Sequence, residues 1–147
     1  MSYELRELPG MTVMGIYARL SNAELNKLGD LWRRFHEMGD HKIVEARLND
    51  MHCCVYCEYE GDHTQPYTVV IGCEVAEGTP AVEGMKTVRI ETGKFAVYNR
   101  PYERPNPVFA TWEEIWATPS EDLDRRFQAD FDRYGAAEGI TVNVGVR

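Results

Sequence analysis

The chain carries the same pattern twice. The segment Glu7–Arg19 (ELPGMTVMGIYAR) recurs as Arg89–Arg100 (RIETGKFAVYNR), and Tyr67–Cys73 (YTVVIGC) recurs as Ile140–Val146 (ITVNVGV). Gly10 matches Gly93, Thr68 matches Thr141, Gly72 matches Gly145, and Trp32 falls near Trp116. Each match is weak residue by residue, but they hold in one order along the whole chain, which points to an internal repeat. A repeat restricts the fold sharply, because whatever the first half forms the second must be able to form as well.

Within each half the periodicity reads strand, strand, helix, strand, strand. Tyr3–Leu8 and Met11–Leu20 alternate around Pro9-Gly10, and Lys86–Glu91 and Lys94–Arg100 alternate around Thr92-Gly93, so each pair is expected to form a hairpin. Ser21 and Glu24 form a capping box, and Leu25, Leu28, Trp32 and Phe35 follow at helical spacing to about Met38. Asn106 and Pro107 open a second helix whose stripe is Val108, Trp112, Ile115 and Trp116, with Pro119 ending it. Cys53–Tyr59, Tyr67–Val75, Phe127–Tyr134 and Ile140–Val146 complete the strands, and the Gly- and Pro-rich stretch Val75–Met85 is a crossing loop. The fold class is therefore α+β: a duplicated strand–helix–strand–strand unit, with antiparallel sheets and one main helix per half. Residues 1–147 are expected to make one domain with pseudo-repeats at about 1–75 and 86–147, and a small-molecule groove is expected between the halves.

A net charge of −8 leaves no basic face for direct nucleic-acid binding, while permitting a cationic ligand or a basic protein partner. No apolar run is long enough for a membrane helix, and MSYELRELPG lacks the regions of a signal peptide, so a cytoplasmic address is expected. Cys54 and Cys57 have redox or zinc spacing, but they sit in the alternating run HCCVYCEYE, which puts Cys53 and Cys57 on one face and Cys54 on the other. Buried reduced thiols, with no disulfide, metal or other cofactor, are expected. His36, His41, His52 and His63 are scattered without ligand spacing and read as surface residues.

The run FQADFDRY, Phe127–Tyr134, puts Phe127, Ala129 and Phe131 on one face and Gln128, Asp130, Asp132 and Tyr134 on the other. The second face is either solvated surface or the wall of a site that wants positive charge. Asp130 has Arg125, Arg126 and Arg133 close in sequence and reads as a salt-bridged surface acid.

The segments LWRRF, YTVVIGCEV, EGMKTVRIETGKFAVYN, TWEEIW and RRFQADFDRY, in this order, resemble the gyrase-inhibitor-like family, which includes the effector-binding domains of AraC-type transcription activators. The family's stand-alone members include integron gene-cassette proteins, which the chain resembles closely in length, and the family resemblance runs from about Tyr3 to Val146. The resemblance implies a duplicated unit and a groove that takes bulky, hydrophobic, often cationic compounds against an acidic residue ringed by aromatics. The family's acid falls two residues before a tyrosine, so the resemblance assigns that place to Asp132, with aspartate replacing the usual glutamate.

On these grounds the candidate ligand-binding residues are Asp132, Tyr134, Trp112, Trp116, Trp32, Tyr98, Phe35, Tyr56 and Glu74, with Tyr102 as a further hydroxyl. Core packing is the competing reading for Trp112, Trp116, Trp32 and Phe35. A strand-end surface charge competes for Glu74, which shares a face with Thr68, Val70 and Gly72. The leading function is binding of a hydrophobic, cationic small molecule, by sequestration or by sensing in trans, since no helix-turn-helix precedes the domain. The alternatives implied by the resemblance are hydrolysis of strained cyclopropane-bearing compounds by Asp132 and Tyr134, and an acidic module for a protein partner. A homodimer is left open. No nucleophile elbow, phosphate loop or histidine pair at zinc spacing is present to support other chemistry.

Overall fold

The computed structural model describes residues 3–43, 45–101, 106–135 and 139–147; Tyr102 lies outside them. Among the described residues eight strands form a single antiparallel sheet: β1 Glu4–Leu8, β2 Met11–Leu20, β3 His52–Cys57, β4 Tyr67–Val75, β5 Lys86–Ile90, β6 Gly93–Arg100, β7 Ala129–Gly135 and β8 Gly139–Gly145. Their order is β1-β6-β8-β7-β3-β4-β2-β5. The sheet is thus continuous through the β3–β7 pair, where separate sheets were expected. Helix α1 is Asn26–Arg34, extended by a π-helical turn over Phe35–Gly39, and α2 is Val108–Ala117.

The chain enters α1 as expected. Ser21 and Glu24 make the reciprocal capping box, which satisfies amide groups that a helix start leaves unpaired. At α2 the Val108 amide donates to Asn106 Oδ1 at 2.9 Å, and the chain leaves the helix at Thr118, which is extended.

The two expected hairpins do not form. β1 pairs with β6, and β5 pairs with β2, so the links Pro9-Gly10 and Glu91-Thr92 run past each other. Leu8 faces Gly93 and Met11 faces Ile90, and the Gly10 amide donates to Thr92 Oγ1 at 2.9 Å across the crossing. Turn chemistry explains the exchange. A two-residue hairpin favours a turn with positive φ at its first central residue, and Pro9 cannot adopt it. Glu91-Thr92 likewise lacks the Gly or Asn that such turns use. Gly10 therefore lies in a link while Gly93 opens β6, so the two glycines do not hold equivalent places.

Side chains alternate across the sheet. Cys54, Tyr56, Val69, Ile71, Tyr98, Val142 and Val144 face the helices and pack with Leu31, Phe35, Trp112 and Ile115. Cys53, Val55, Val70, Phe95, Val97 and Phe131 form a second cluster on the opposite face. The four cysteines are buried and unbridged, with Cys54 on the helix side and Cys53 and Cys57 on the other.

At the centre of the β2–β4 pair Gly15 faces Gly72. A Cβ on Gly72 would sit 1.7 Å from the Met14 carbonyl oxygen, and one on Gly15 would sit 2.0 Å from that of Ile71. Neither contact is tolerable, so the strands approach as they do only because both residues lack a side chain. Gly29, inside α1, has nothing within 4 Å of its would-be Cβ. Gly29→Ala is expected to raise stability by about 0.5–1 kcal/mol, and Gly72→Ala to lower it by several-fold more than that. Urea denaturation of both variants checks the pair. A mild effect at Gly72 would show that the strands can separate without cost.

Candidate functional site

The site is built from residues that the fold brings to the helix side of the sheet. Asn22 and Leu25 just before α1, Leu28 within it, Val108, Phe109, Trp112 and Trp116 on α2, and Tyr56 and Tyr67 on β3 and β4 surround an open cleft. Tyr59, His63 and Arg125 complete its wall, and the volume is about 490 Å³ including the open space at the mouth. Both halves of the chain contribute, as expected of a groove between them. The aromatic groups touch in series: Tyr56–Trp112 ring centroids are 5.1 Å apart, Trp112–Trp116 6.2 Å, Tyr56–Tyr67 6.1 Å and Tyr59–Tyr67 5.5 Å.

Two acids of β7 lie beneath this wall, and their surroundings differ. Asp132 is 1% exposed. The Tyr56 hydroxyl donates to its Oδ2 at 2.5 Å and the Trp112 indole N–H to its Oδ1 at 2.9 Å. Both donors are neutral, and both rings line the cleft, so the carboxylate is one layer beneath the cleft surface. Asp130 is completely buried, not at the surface as expected. Arg125 reaches its Oδ2 at 2.8 Å, the Tyr59 hydroxyl the same oxygen at 2.6 Å, and the Gly145 amide its Oδ1 at 2.7 Å. A buried aspartate needs such partners, and the arginine expected to hold Asp130 at the surface folds inward with it.

The electrostatics follow from this difference. Burial pushes the Asp132 carboxyl up to about 7, against the lowering effect of the hydrogen bonds from Tyr56 and Trp112, with the Asp130 charge adding a smaller upward push. Burial, with Asp132 second, holds the Tyr56 hydroxyl well above its ordinary value, so it remains a donor. Among the described residues no cation is hydrogen-bonded to Asp132, whereas Asp130 has one.

Of the residues expected from the sequence, Tyr56, Trp112 and Trp116 line the cleft and Asp132 lies directly behind two of them. The others do not join it. Tyr134 packs edge-on against Trp32, with centroids 5.1 Å apart, and Trp32 stacks on His36. Phe35 is fully buried in the core. Tyr98 is also fully buried, against Tyr3, and its hydroxyl has no hydrogen-bond partner among the described residues. Glu74 faces the opposite side of the sheet, where Arg133 pairs with it at 3.2 Å. The strand period that puts Glu74 with Thr68 and Val70 also keeps it away from the helices.

Tyr59, Tyr67, Arg125 and His63 were missed. His63, read as a surface residue, stacks on Trp116 with centroids 5.9 Å apart. Tyr59 reaches the cleft because Glu58 adopts a left-handed φ of 53°, which ends β3 and breaks its alternation. Phe127 does the same at the start of β7 with φ 54°, so it is not the first residue of that strand. His52, also read as surface, is half-buried, and its Nε2 lies 3.5 Å from Asp40 Oδ1. With Cys73 these residues bring three donor atoms within 4.8 Å of one another, but Arg47 also approaches Asp40, at 3.5 Å. No helix among the described residues is long and apolar enough to cross a membrane.

Comparison with solved structures finds close likeness of fold. VCH_CASS2, an integron cassette protein from the mobile metagenome of Vibrio cholerae, superposes with a TM-score of 0.83 at 24% identity, over 99% of this chain and 96% of that one. SAV2435, solved bound to tetraphenylphosphonium, superposes with a TM-score of 0.75 at 17% identity, over 100% of this chain and 94% of that one. A comparison with curated proteins finds no match. Residues 4–144 match the family described as Cass2, integron-associated effector binding protein, and on that match the chain belongs to this family.

Proposed function

We propose that this protein binds a hydrophobic, cationic small molecule in the cleft between α1 and α2, and acts by sequestering it or by signalling its presence in trans. One observation carries the reading: a buried carboxylate, Asp132, is hydrogen-bonded among the described residues only by two neutral aromatic donors that themselves line the cleft. A charge buried without a cationic partner is costly, and a cation in the cleft would relieve that cost. The route is through the rings. Donation from Tyr56 O–H and Trp112 N–H to an anion enriches both π faces in electron density, which strengthens their attraction for a cation. The family match and the fold shared with a protein that takes tetraphenylphosphonium support the same reading. The strand order also supports reading residues 1–147 as one domain in which about 1–75 and 86–147 are one unit repeated. Asp132 closed beneath two rings and Tyr134 packed on Trp32 favour binding over the hydrolytic alternative.

Asp132→Asn removes the charge and keeps the shape. A hydrogen-bonded charged group is worth roughly 1.5–3 kcal/mol, so affinity for tetraphenylphosphonium is expected to fall about tenfold or more. A neutral analogue such as tetraphenylmethane carrying a solubilising alcohol should lose much less. Calorimetric titration of wild type and variant with both compounds reads this directly. Equal losses for the two compounds would show that Asp132 shapes the cleft without supplying charge. Asp130→Asn is expected to lower stability, because it leaves Arg125 buried without its anion.

Stability should also report the uncompensated charge. The Asp132 carboxyl is at about 7 in the folded protein against an ordinary 3.8, so between these values the native state keeps a proton that the unfolded chain has released. Its contribution to stability therefore falls as pH rises through that window and is flat above it, by on the order of 4 kcal/mol at most. Urea denaturation at pH 5 and pH 8 should show Asp132→Asn gaining on wild type as pH rises. A difference that does not change with pH would contradict the shift.

A further inference from the structure

The cleft holds a second charge, of opposite sign, whose hydrogen-bonding capacity is only partly used. Arg125 is 7% exposed and is part of the cleft wall. Its Nη2 serves Asp130 at 2.8 Å and reaches the Tyr59 hydroxyl at 3.5 Å. Nε and Nη1 are buried and have no partner among the described residues. The guanidinium lies over Phe127 at 4.2 Å, Trp112 at 5.7 Å and Tyr59 at 5.9 Å from the ring centroids. Those faces offset part of its charge, but they do not satisfy directional N–H donors as an oxygen does. Asp130 balances the net charge of the pair, so Arg125 does not bar a cation from the cleft.

We propose that Arg125 is a ligand-recognition residue, and that the effector carries a hydrogen-bond acceptor oxygen, such as a carboxylate or ester, beside its cationic aromatic body. This rests on the reading of the cleft as a cation site and narrows it. Arg125 lines one wall and keeps Nε and Nη1 buried without a partner among the described residues, while Tyr56 and Trp112, backed by Asp132, line the same cleft. A ligand with both features would satisfy donors that the protein leaves open and meet the charge that it leaves uncompensated. A cation with no acceptor would meet only the second demand.

Three related dyes separate these demands. Tetramethylrosamine is a xanthylium cation without a carboxyl group, tetramethylrhodamine adds the carboxylate to the same frame, and fluorescein keeps the carboxylate without the cationic amines. Fluorescence anisotropy of wild type should give tetramethylrhodamine a Kd about tenfold lower than tetramethylrosamine. Arg125→Lys keeps a cation for Asp130 but loses the fork, so it should bring the affinities of the two dyes to within about twofold of each other. A melting curve shows whether that variant is folded, and the wild-type comparison stands without it. Equal affinities in wild type, or a preference that persists in Arg125→Lys, would overturn the inference and leave the cation reading intact. Fluorescein binding alone, lost in Arg125→Lys, would overturn the cation reading while keeping Arg125 as an acceptor site. No binding of any of the three would overturn both.

Discussion

The Asp132 carboxylate, held between the Tyr56 hydroxyl and the Trp112 indole, is the contact on which the rest of the site depends. It joins three elements that are distant in sequence: β7, β3 and α2. It fixes the orientation of two rings that line the cleft, because each is held by its one polar atom. The β3–β7 pairing is the precondition. Cys54 faces Asp132 and Tyr56 faces Asp130 in register, so the tyrosine reaches diagonally across the strand pair to the acid. A slip of one residue would turn both acids to the opposite face of the sheet and empty the floor.

The neighbouring Asp130 shows what the site would be without this arrangement. It has the same strand face, the same burial and its own tyrosine, yet it also has Arg125 and a backbone amide. That network is neutral and serves structure: it ties β7 to β8 and to the segment leading into the strand. The strained residues flank the same region. Glu58 and Phe127 both hold a left-handed backbone, which costs non-glycine residues on the order of 1–3 kcal/mol. Each is held by its surroundings, Glu58 by Thr68 at 2.6 Å and Lys86 at 3.0 Å, and Phe127 under the Arg125 guanidinium at 4.2 Å. Both lie at the same end of the β3–β7 pair, where Cys57 faces Ala129, and this strained end turns Tyr59 and Arg125 toward the cleft on that side.

Much of this was legible in the sequence, and the parts that were not share a cause. Alternation in FQADFDRY correctly separated Asp132 and Tyr134 from Phe131, and helical spacing correctly put Trp112 and Trp116 on one stripe. Periodicity assigns a face, but it does not say what covers that face. Asp130 was therefore assigned to solvent, because nothing local shows that Arg125 folds back over it. Tyr59 was hidden by the reversal at Glu58, which no propensity marks. The hairpins were read from strand runs and a Pro-Gly turn signal, although proline at that position is the wrong chemistry for a two-residue hairpin. Glu74, by contrast, was already on the wrong face by the strand period that identified it.

The central claim is that the Asp132 charge is left for a ligand to compensate. The direct measurement is the titration of the Asp132 side-chain carboxyl by carbon-13 NMR, with and without saturating tetraphenylphosphonium. A cation over the Tyr56 and Trp112 rings favours the ionised form, so the midpoint is expected near 7 in the free protein and clearly lower in the complex. Binding should release a proton near neutral pH, and affinity should rise with pH through that range. A midpoint that stays near 7 with ligand bound, or one already in the ordinary carboxylate range without it, would contradict the account.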